Sequence, residues 1–266
     1  MKSSTPDPRA MASSDEIGLD FPAPFVAVVT LNRPPVNALG RRFREAFIDT
    51  MDSLQDRDDV RVIILTASGK IFCAGADIKE RQDIGVQNGG HQRANRITRE
   101  GFYCVLDSVK PVIAAINGPA LGAGFVLAAC CDFIFSADHA TFSMPEIDVG
   151  MGGGASFLQR ILPPSKFRRM MLTGEALSCQ ELYRLGAIEA CVPSAQLMSS
   201  ALALAQTIAQ KSPPAVRTIR ESFLTVEGLG LREGFRFEQN YITPLSKSPE
   251  ALEARKAFIE KRKAVF

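Results

Sequence analysis

Two small-residue turns, each following an apolar, strand-like run, constrain this chain more than any other feature. The first is Lys70-Ile-Phe-Cys-Ala-Gly-Ala-Asp-Ile-Lys79. It follows Val60-Arg-Val-Ile-Ile-Leu-Thr-Ala67, a β-branched run that reads as a buried strand. Gly75 lies between two alanines, so little bulk surrounds the backbone there and the Ala76 N–H is reachable by a ligand oxygen. The second turn, Gly118-Pro-Ala-Leu-Gly-Ala-Gly-Phe125, follows the short apolar strand Val112 to Ile116. It opens a helix from Ala123 to about Cys130 that is almost wholly apolar and therefore buried. The first N–H groups of a helix have no partner inside it and sit at the positive end of its dipole. Two amides aimed at one point form an oxyanion hole, which favours reactions that build charge on a carbonyl oxygen.

The segments around these turns set the fold class. Phe25 to Asn32 reads as a strand and Arg33-Pro-Pro-Val-Asn37 as its turn. Gly40 to Leu54 carries Phe43, Phe47, Met51 and Leu54 at helical spacing and is an amphipathic helix that covers a sheet. Glu80 to Arg93 is polar, contains Gly85, Gly89 and Gly90, and reads as a loop over a cleft or on the surface. A helix from Asn95 to Val109 and a strand from Asp132 to Ala137 follow. Strands and helices alternating at this spacing argue an α/β layered core. From Pro164 onward the pattern is mostly helical, and its last helix has Ser248 as N-cap and Pro249 at the first helical position.

Composition narrows the partners. In 266 residues there is room for one large domain, alone or with an appendage. A formal charge of +2 with no long basic run speaks against nucleic acid. No apolar run approaches the roughly 20 residues that span a bilayer, so no membrane partner is expected. Met1 to Asp20 mixes Lys2 and Arg9 with Asp7, Asp15, Glu16 and Asp20; it reads as a flexible leader without a signal core, and the expected compartment is the cytoplasm. Six cysteines without a CxxC spacing read as buried free thiols, with neither a metal site nor a disulfide framework. Cys73, beside the first turn, reads as packing. Gly150-Met-Gly-Gly-Gly154 has no Lys-Ser/Thr ending, so it is not a P-loop.

Phe72-Cys-Ala-Gly-Ala-Asp-Ile-Lys79, Pro111-Val-Ile-Ala-Ala-Ile-Asn-Gly118, Ala120-Leu-Gly-Ala-Gly124 and Phe142-Ser-Met-Pro-Glu-Ile147 together resemble the crotonase (enoyl-CoA hydratase/isomerase) superfamily, from about Phe25 to the C-terminus. The resemblance implies an α/β fold: a crotonase-like spiral of repeated ββα units over residues 21–200, after a leader at 1–20. A C-terminal helical trimerisation region at 201–266 and a homotrimer or hexamer go with it. The implied substrate is an acyl-CoA thioester, with coenzyme A as part of the substrate and no permanently bound cofactor. The implied enolate is held by the N–H groups of Ala76 and Ala123, with Ala74 and Gly122 beside them. Val36 and Ala38 are implied to lie along the coenzyme, Lys79 to reach a phosphate, and Gly154 to present an amide to water or substrate. Phe258 and Lys261 are implied to flank the nucleotide end, from an adjacent subunit.

Glu146 stands among Met144, Pro145 and Ile147. Facing a dry cleft, it would be raised toward neutrality by desolvation and be able to take and return a proton; facing water, it would be a surface glutamate. The matching motif implies the first. A departure then bears on the chemistry: hydratases of the family usually carry a second glutamate where this chain has Val126. One base with an oxyanion hole suits a 1,3-proton shift, so double-bond isomerisation is favoured, with hydration, a related lyase or a decarboxylase as alternatives and a non-catalytic binding protein of the same fold beyond them. Hydration survives if Asp148, Glu80 or His91 supplies the missing group. Phe157, where many relatives have glycine, is expected to narrow the acyl pocket.

Overall fold

The structure, a computed structural model, describes residues 16–80 and 88–266. Its main sheet has the order β1 (Ile17–Ala23), β2 (Phe25–Leu31), β3 (Val60–Ala67), β4 (Val112–Ile116), β6 (Phe133–Ala137) and β9 (Ala190–Val192). β1 and β2 are antiparallel and the rest run parallel, with Val28 opposite Ile64, Ile64 opposite Ile113 and Ile113 opposite Phe133. A smaller sheet is built from the short strands β5 (Ala120–Leu121), β7 (Thr141–Ser143) and β8 (Leu177–Ser178). After β4 and β6 the chain lays a short strand (β5, β7) in the second sheet, and after β2 and β3 it makes the isolated bridges Leu39–Ala76 and Cys73–Ala120 before crossing back. That repeat is the spiral of ββα units.

Alternation along the strands sorts the core. Ala27, Val29, Leu31, Ile63 and Leu65 face one way, against α1 (Arg41–Gln55) with its buried Phe43, Phe47, Met51 and Leu54. Each such side chain contributes about 1.5–3 kcal/mol on burial. Val26, Val28, Val62, Ile64 and Ile113 face the other way, against α7 (Leu197–Ala209), whose Leu197, Ala201, Ala205 and Ala209 make a narrow stripe at i, i+4 spacing. Beyond α7 come α8 (Pro213–Val226), α9 (Leu231–Leu245) and α10 (Pro249–Ile259). The Ser248 hydroxyl caps α10 by accepting from the Ala251 amide at 3.1 Å. α8 is pinned to the core by Arg220, which is 4% exposed. Its Nε donates to Asp132 Oδ2 at 2.8 Å, and its other nitrogens donate to the carbonyls of Val105, Leu106 and Ser108.

Several expectations change. Ile17 to Asp20 belongs to β1 rather than to a leader; residues 1–15 lie outside the described residues. The helix expected from Asn95 is α2 (Gly90–Leu106): Gly89, at φ 73°, turns the chain into it, so His91 and Arg93 ride on a helix rather than a loop. Part of that loop, 81–87, is outside the described residues. The boundary expected at residue 200 falls inside α7, which packs on the main sheet, so the helical extension begins at Ser212. Cys179, the first residue of α6 (Cys179–Arg184), and Cys191, both expected as free thiols, form a disulfide. Their Cα atoms stand 5.8 Å apart because β9 pairs with β6 at Ser136–Cys191, while the Cys179 amide donates to the Ala140 carbonyl just past β6.

Candidate active site

The two small-residue turns lie side by side in one backbone ladder. The Ala74 amide donates to the Val36 carbonyl (3.0 Å) and the Leu39 amide to the Gly75 carbonyl (2.7 Å). On the other side the Leu121 amide donates to the Cys73 carbonyl (2.9 Å), and the Gly122 amide to the Ser143 carbonyl (2.8 Å). Four segments, around residues 36–39, 73–77, 120–123 and 141–146, are thus held at strand spacing. The ladder brings Val36, Ala38, Ala74, Ala76, Gly122 and Ala123 together.

Glycine makes the approach possible. Gly75 has φ 90°, and a Cβ there would stand 2.9 Å from the Leu121 carbonyl oxygen and 3.3 Å from the Ala123 amide nitrogen. The Ala76 and Ala123 amides therefore sit at the crossing of the two segments. Among the described residues neither amide donates a hydrogen bond, and Ala123 is the first residue of α3 (Ala123–Ala129). Gly122, at φ 52°, carries the carboxyl group of Glu146 directly over its Cα: a Cβ would collide with Oε1 and stand 2.8 Å from Cδ. Glu146 is half-buried in the 3-10 turn Pro145–Val149, which Gly150 closes at φ 67°. The carboxyl group thus lies against the residue preceding Ala123, where a group with one acid/base function and two main-chain donors can stabilise an enolate.

Val126 is 2% exposed, and a Cβ on Gly154 would collide with its Cγ2. The isopropyl group fills the space next to Gly154, which begins α4 (Ala155–Leu158) at φ 76°. Of the substitutes considered for a second acid, Asp148 is exposed and turns toward Gly174, at the end of α5 (Pro164–Thr173). Glu80 is engaged elsewhere, its Oε2 accepting the Arg41 amide at 2.8 Å. His91 is exposed on α2 and lines a neighbouring cleft. Phe157 does not line that cleft; it packs on Phe102 of α2 with ring centroids 5.5 Å apart. Lys79 is exposed next to the ladder, whereas Phe258 and Lys261 are exposed at the end of α10.

The roles of Asn37 and Arg33 beside the ladder escaped the sequence analysis. Asn37 is buried, at φ 52°, and its Nδ2 donates to the carbonyls of Ser68 (3.0 Å) and Ile71 (2.8 Å). It fastens the 36–39 segment to the first turn, and asparagine after Pro-Pro-Val was the signal for a positive-φ position. Arg33 donates to Asp77 at 2.8 Å and holds its carboxyl below the usual carboxylate range. Cys73 is fully buried, and burial pushes its thiol up to about 12, so it is packing and not a nucleophile. Beside Ala76 and Met151 a cleft of about 470 Å³ opens between α1 and α2, with Arg41, Arg44 and Arg93 in its wall.

Known proteins share this architecture. The enoyl-CoA hydratase/isomerase family profile matches residues 24–266. The chain is 36% identical over 247 residues to carnitinyl-CoA dehydratase of Salmonella arizonae, covering 88% of this chain and 92% of that protein. It is 34% identical over 251 residues to the carnitinyl-CoA dehydratase of Salmonella enteritidis, covering 90% and 93%. An enoyl-CoA hydratase from Bacillus anthracis superposes with a TM-score of 0.89 at 32% identity, over 94% of this chain and 98% of that one. With a family profile spanning nearly the whole sequence and the same spiral in solved relatives, this chain belongs to the enoyl-CoA hydratase/isomerase (crotonase) family and is an enzyme acting on acyl-CoA.

Proposed function

We propose that the enzyme shifts a carbon–carbon double bond within an acyl-CoA thioester. The thioester oxygen is held by the Ala76 and Ala123 amides, which lowers the barrier to removing the α-proton. Glu146 takes that proton, the enolate forms, and Glu146 returns the proton at the γ-carbon. A 3-enoyl thioester so becomes its conjugated 2-enoyl isomer without gain or loss of atoms. The observation that carries this reading is Val126: hydrocarbon packed on Gly154 stands where a hydratase of the family carries its second glutamate. Val36, Ala38 and Ala74 carry the coenzyme along the ladder, Lys79 meets a phosphate, and Gly154 bounds the reacting end. Phe258 and Lys261 serve the nucleotide of a neighbouring subunit in a homotrimer or hexamer, and the reading includes the cytoplasm as compartment. No helix among the described residues is long and apolar enough to cross a membrane.

A second reading, a hydro-lyase, draws on the names of the relatives, two of which are carnitinyl-CoA dehydratases. In that case Glu146 removes the α-proton and hands it to a departing β-hydroxyl, so that one carboxyl group serves both steps on one face of the substrate. Incubation with 3-enoyl and 3-hydroxyacyl thioesters, followed by mass spectrometry, separates the two: isomerisation conserves mass, whereas dehydration removes about 18 Da by proton transfer to the hydroxyl. Glu146→Gln tests both, since kcat should fall about 10²- to 10⁴-fold while acyl-CoA still binds. Full turnover in that variant would overturn the assignment of the base.

A further inference from the structure

The Ala76 amide owes its direction to an isolated bridge. Leu39 and Ala76 pair in parallel: the Leu39 amide donates to the Gly75 carbonyl at 2.7 Å, and the Asp77 amide to the Leu39 carbonyl at 3.4 Å. In a parallel pair the residue bracketed by two such bonds turns its own N–H to the opposite edge. Here that is the edge along which residues 120–123 run, since Cys73 bridges Ala120 on that side. The aim of the Ala76 N–H is thus only as firm as the bridge, and the bond on its Asp77 side is long.

Arg33 spans that bridge with one guanidinium. Its Nη1 donates to the Ala38 carbonyl at 2.6 Å and its Nη2 to Asp77 Oδ2 at 2.8 Å. One planar, rigid group therefore ties the residue before Leu39 to the residue after Ala76. Both ends of the tie are themselves fixed. The Arg33 amide donates to Asn37 Oδ1 at 2.8 Å, and Asp77 Oδ1 accepts the amides of Lys79 and Glu80 at 3.2 and 3.3 Å. Gly40 leaves the room this needs, since a Cβ there would stand 3.3 Å from Arg33 Nη1. The remaining nitrogen, Nε, lies 3.5 Å from Glu16. All three guanidinium nitrogens are engaged by protein, and Arg33 does not line the neighbouring cleft, so it is placed to hold backbone rather than substrate. We infer that Arg33 is a positioning residue for the oxyanion hole: by clasping Ala38 and Asp77 it keeps the Ala76 amide aimed at the thioester oxygen. The inference rests on the reading of Ala76 as a donor to that oxygen.

Infrared difference spectroscopy of the full chain, saturated with hexanoyl-CoA carrying carbon-13 at the thioester carbonyl, tests this. In the unaltered protein the carbonyl band should move to lower frequency than in free hexanoyl-CoA, because amide donors polarise it. Arg33→Met should lose about half of that displacement, one of the two donors having swung away, with the far-UV circular dichroism unchanged. Asp77→Ala, which removes the other end of the clasp, should lose a similar share. Arg33→Lys reaches only one of the two acceptors and should not restore the band. A full displacement in Arg33→Met or in Asp77→Ala overturns the inference while the two-donor reading stands. Failure of both variants to bind hexanoyl-CoA also overturns it, since Arg33 would then serve affinity rather than aim. An absent displacement in the unaltered protein defeats the oxyanion reading first and takes this inference with it.

Discussion

The ladder that carries Glu146 and the helices after Ser212 are built on opposite terms. Around Glu146 the position of each group is set by main chain: carbonyls accept neighbouring amides across four segments, and glycines sit where any side chain would collide. After Ser212 side chains decide, and many are unspent. Leu231 is 90% exposed, Phe258 85% and Phe235 57%, on helices whose inner faces bury little. Apolar surface of that extent is what the proposed homotrimer or hexamer would cover. The contrast is between a candidate site positioned by the backbone and a helical end whose exposed side chains would carry association in the proposed homotrimer or hexamer.

The sharpest break of that contrast is at Arg220, which among the described residues ties the helical end to the core by a buried ion pair. Arg220→Met leaves Asp132 buried with only the Val112 amide, and loss of about 3–5 kcal/mol of unfolding free energy is expected in a denaturant titration. Next comes Gly122→Ala. Its Cβ would drive the Glu146 carboxyl away and strain a positive φ, so kcat should fall about 10²-fold or more with the fold retained by circular dichroism. On the other side of the contrast, Phe235→Asp should shift sedimentation toward smaller species while the far-UV spectrum stays unchanged; an unaltered assembly would remove that face from the interface. The smallest effect is at Asp77. Arg33 depresses its folded-state pKa, so its contribution is present above the unfolded value of about 3.9 and fades as pH falls through the lower folded value. Arg33 is about a third exposed, so the pair is worth about 0–1 kcal/mol. Asp77→Asn should flatten stability against pH below about 4 by that amount.

Much of the first region was legible in the sequence, because periodicity and small-residue turns act locally. β2, β3, β4 and α1 follow their apolar patterns closely. β1 was hidden because Ile17 to Ala23 contains Gly18, Asp20 and Pro22, which read as leader until pairing with β2 supplies their reason. The Gly89–Gly90 pair looked like a loop, since nothing local announces that a left-handed glycine starts a helix rather than ends one. The Cys179–Cys191 bond depends on β9 finding β6, a non-local event. So does the direction of Phe157, which follows from Phe102 on another helix. The grouping of arginines at the cleft was likewise out of reach: Arg41 and Arg44 read as a solvated helix face, and only the packing of α1 on α2 sets them beside Arg93.

Val126 packed on Gly154 has a consequence for isotopes. If, as proposed, Glu146 lifts the α-hydrogen, hydrocarbon on that side gives it a short path back to the same molecule and a poor one to bulk solvent. Label placed at C2 should therefore reappear at C4 of the product more often than it washes out, and the ratio of the two would gauge how well that patch of hydrocarbon keeps solvent from the carboxyl group.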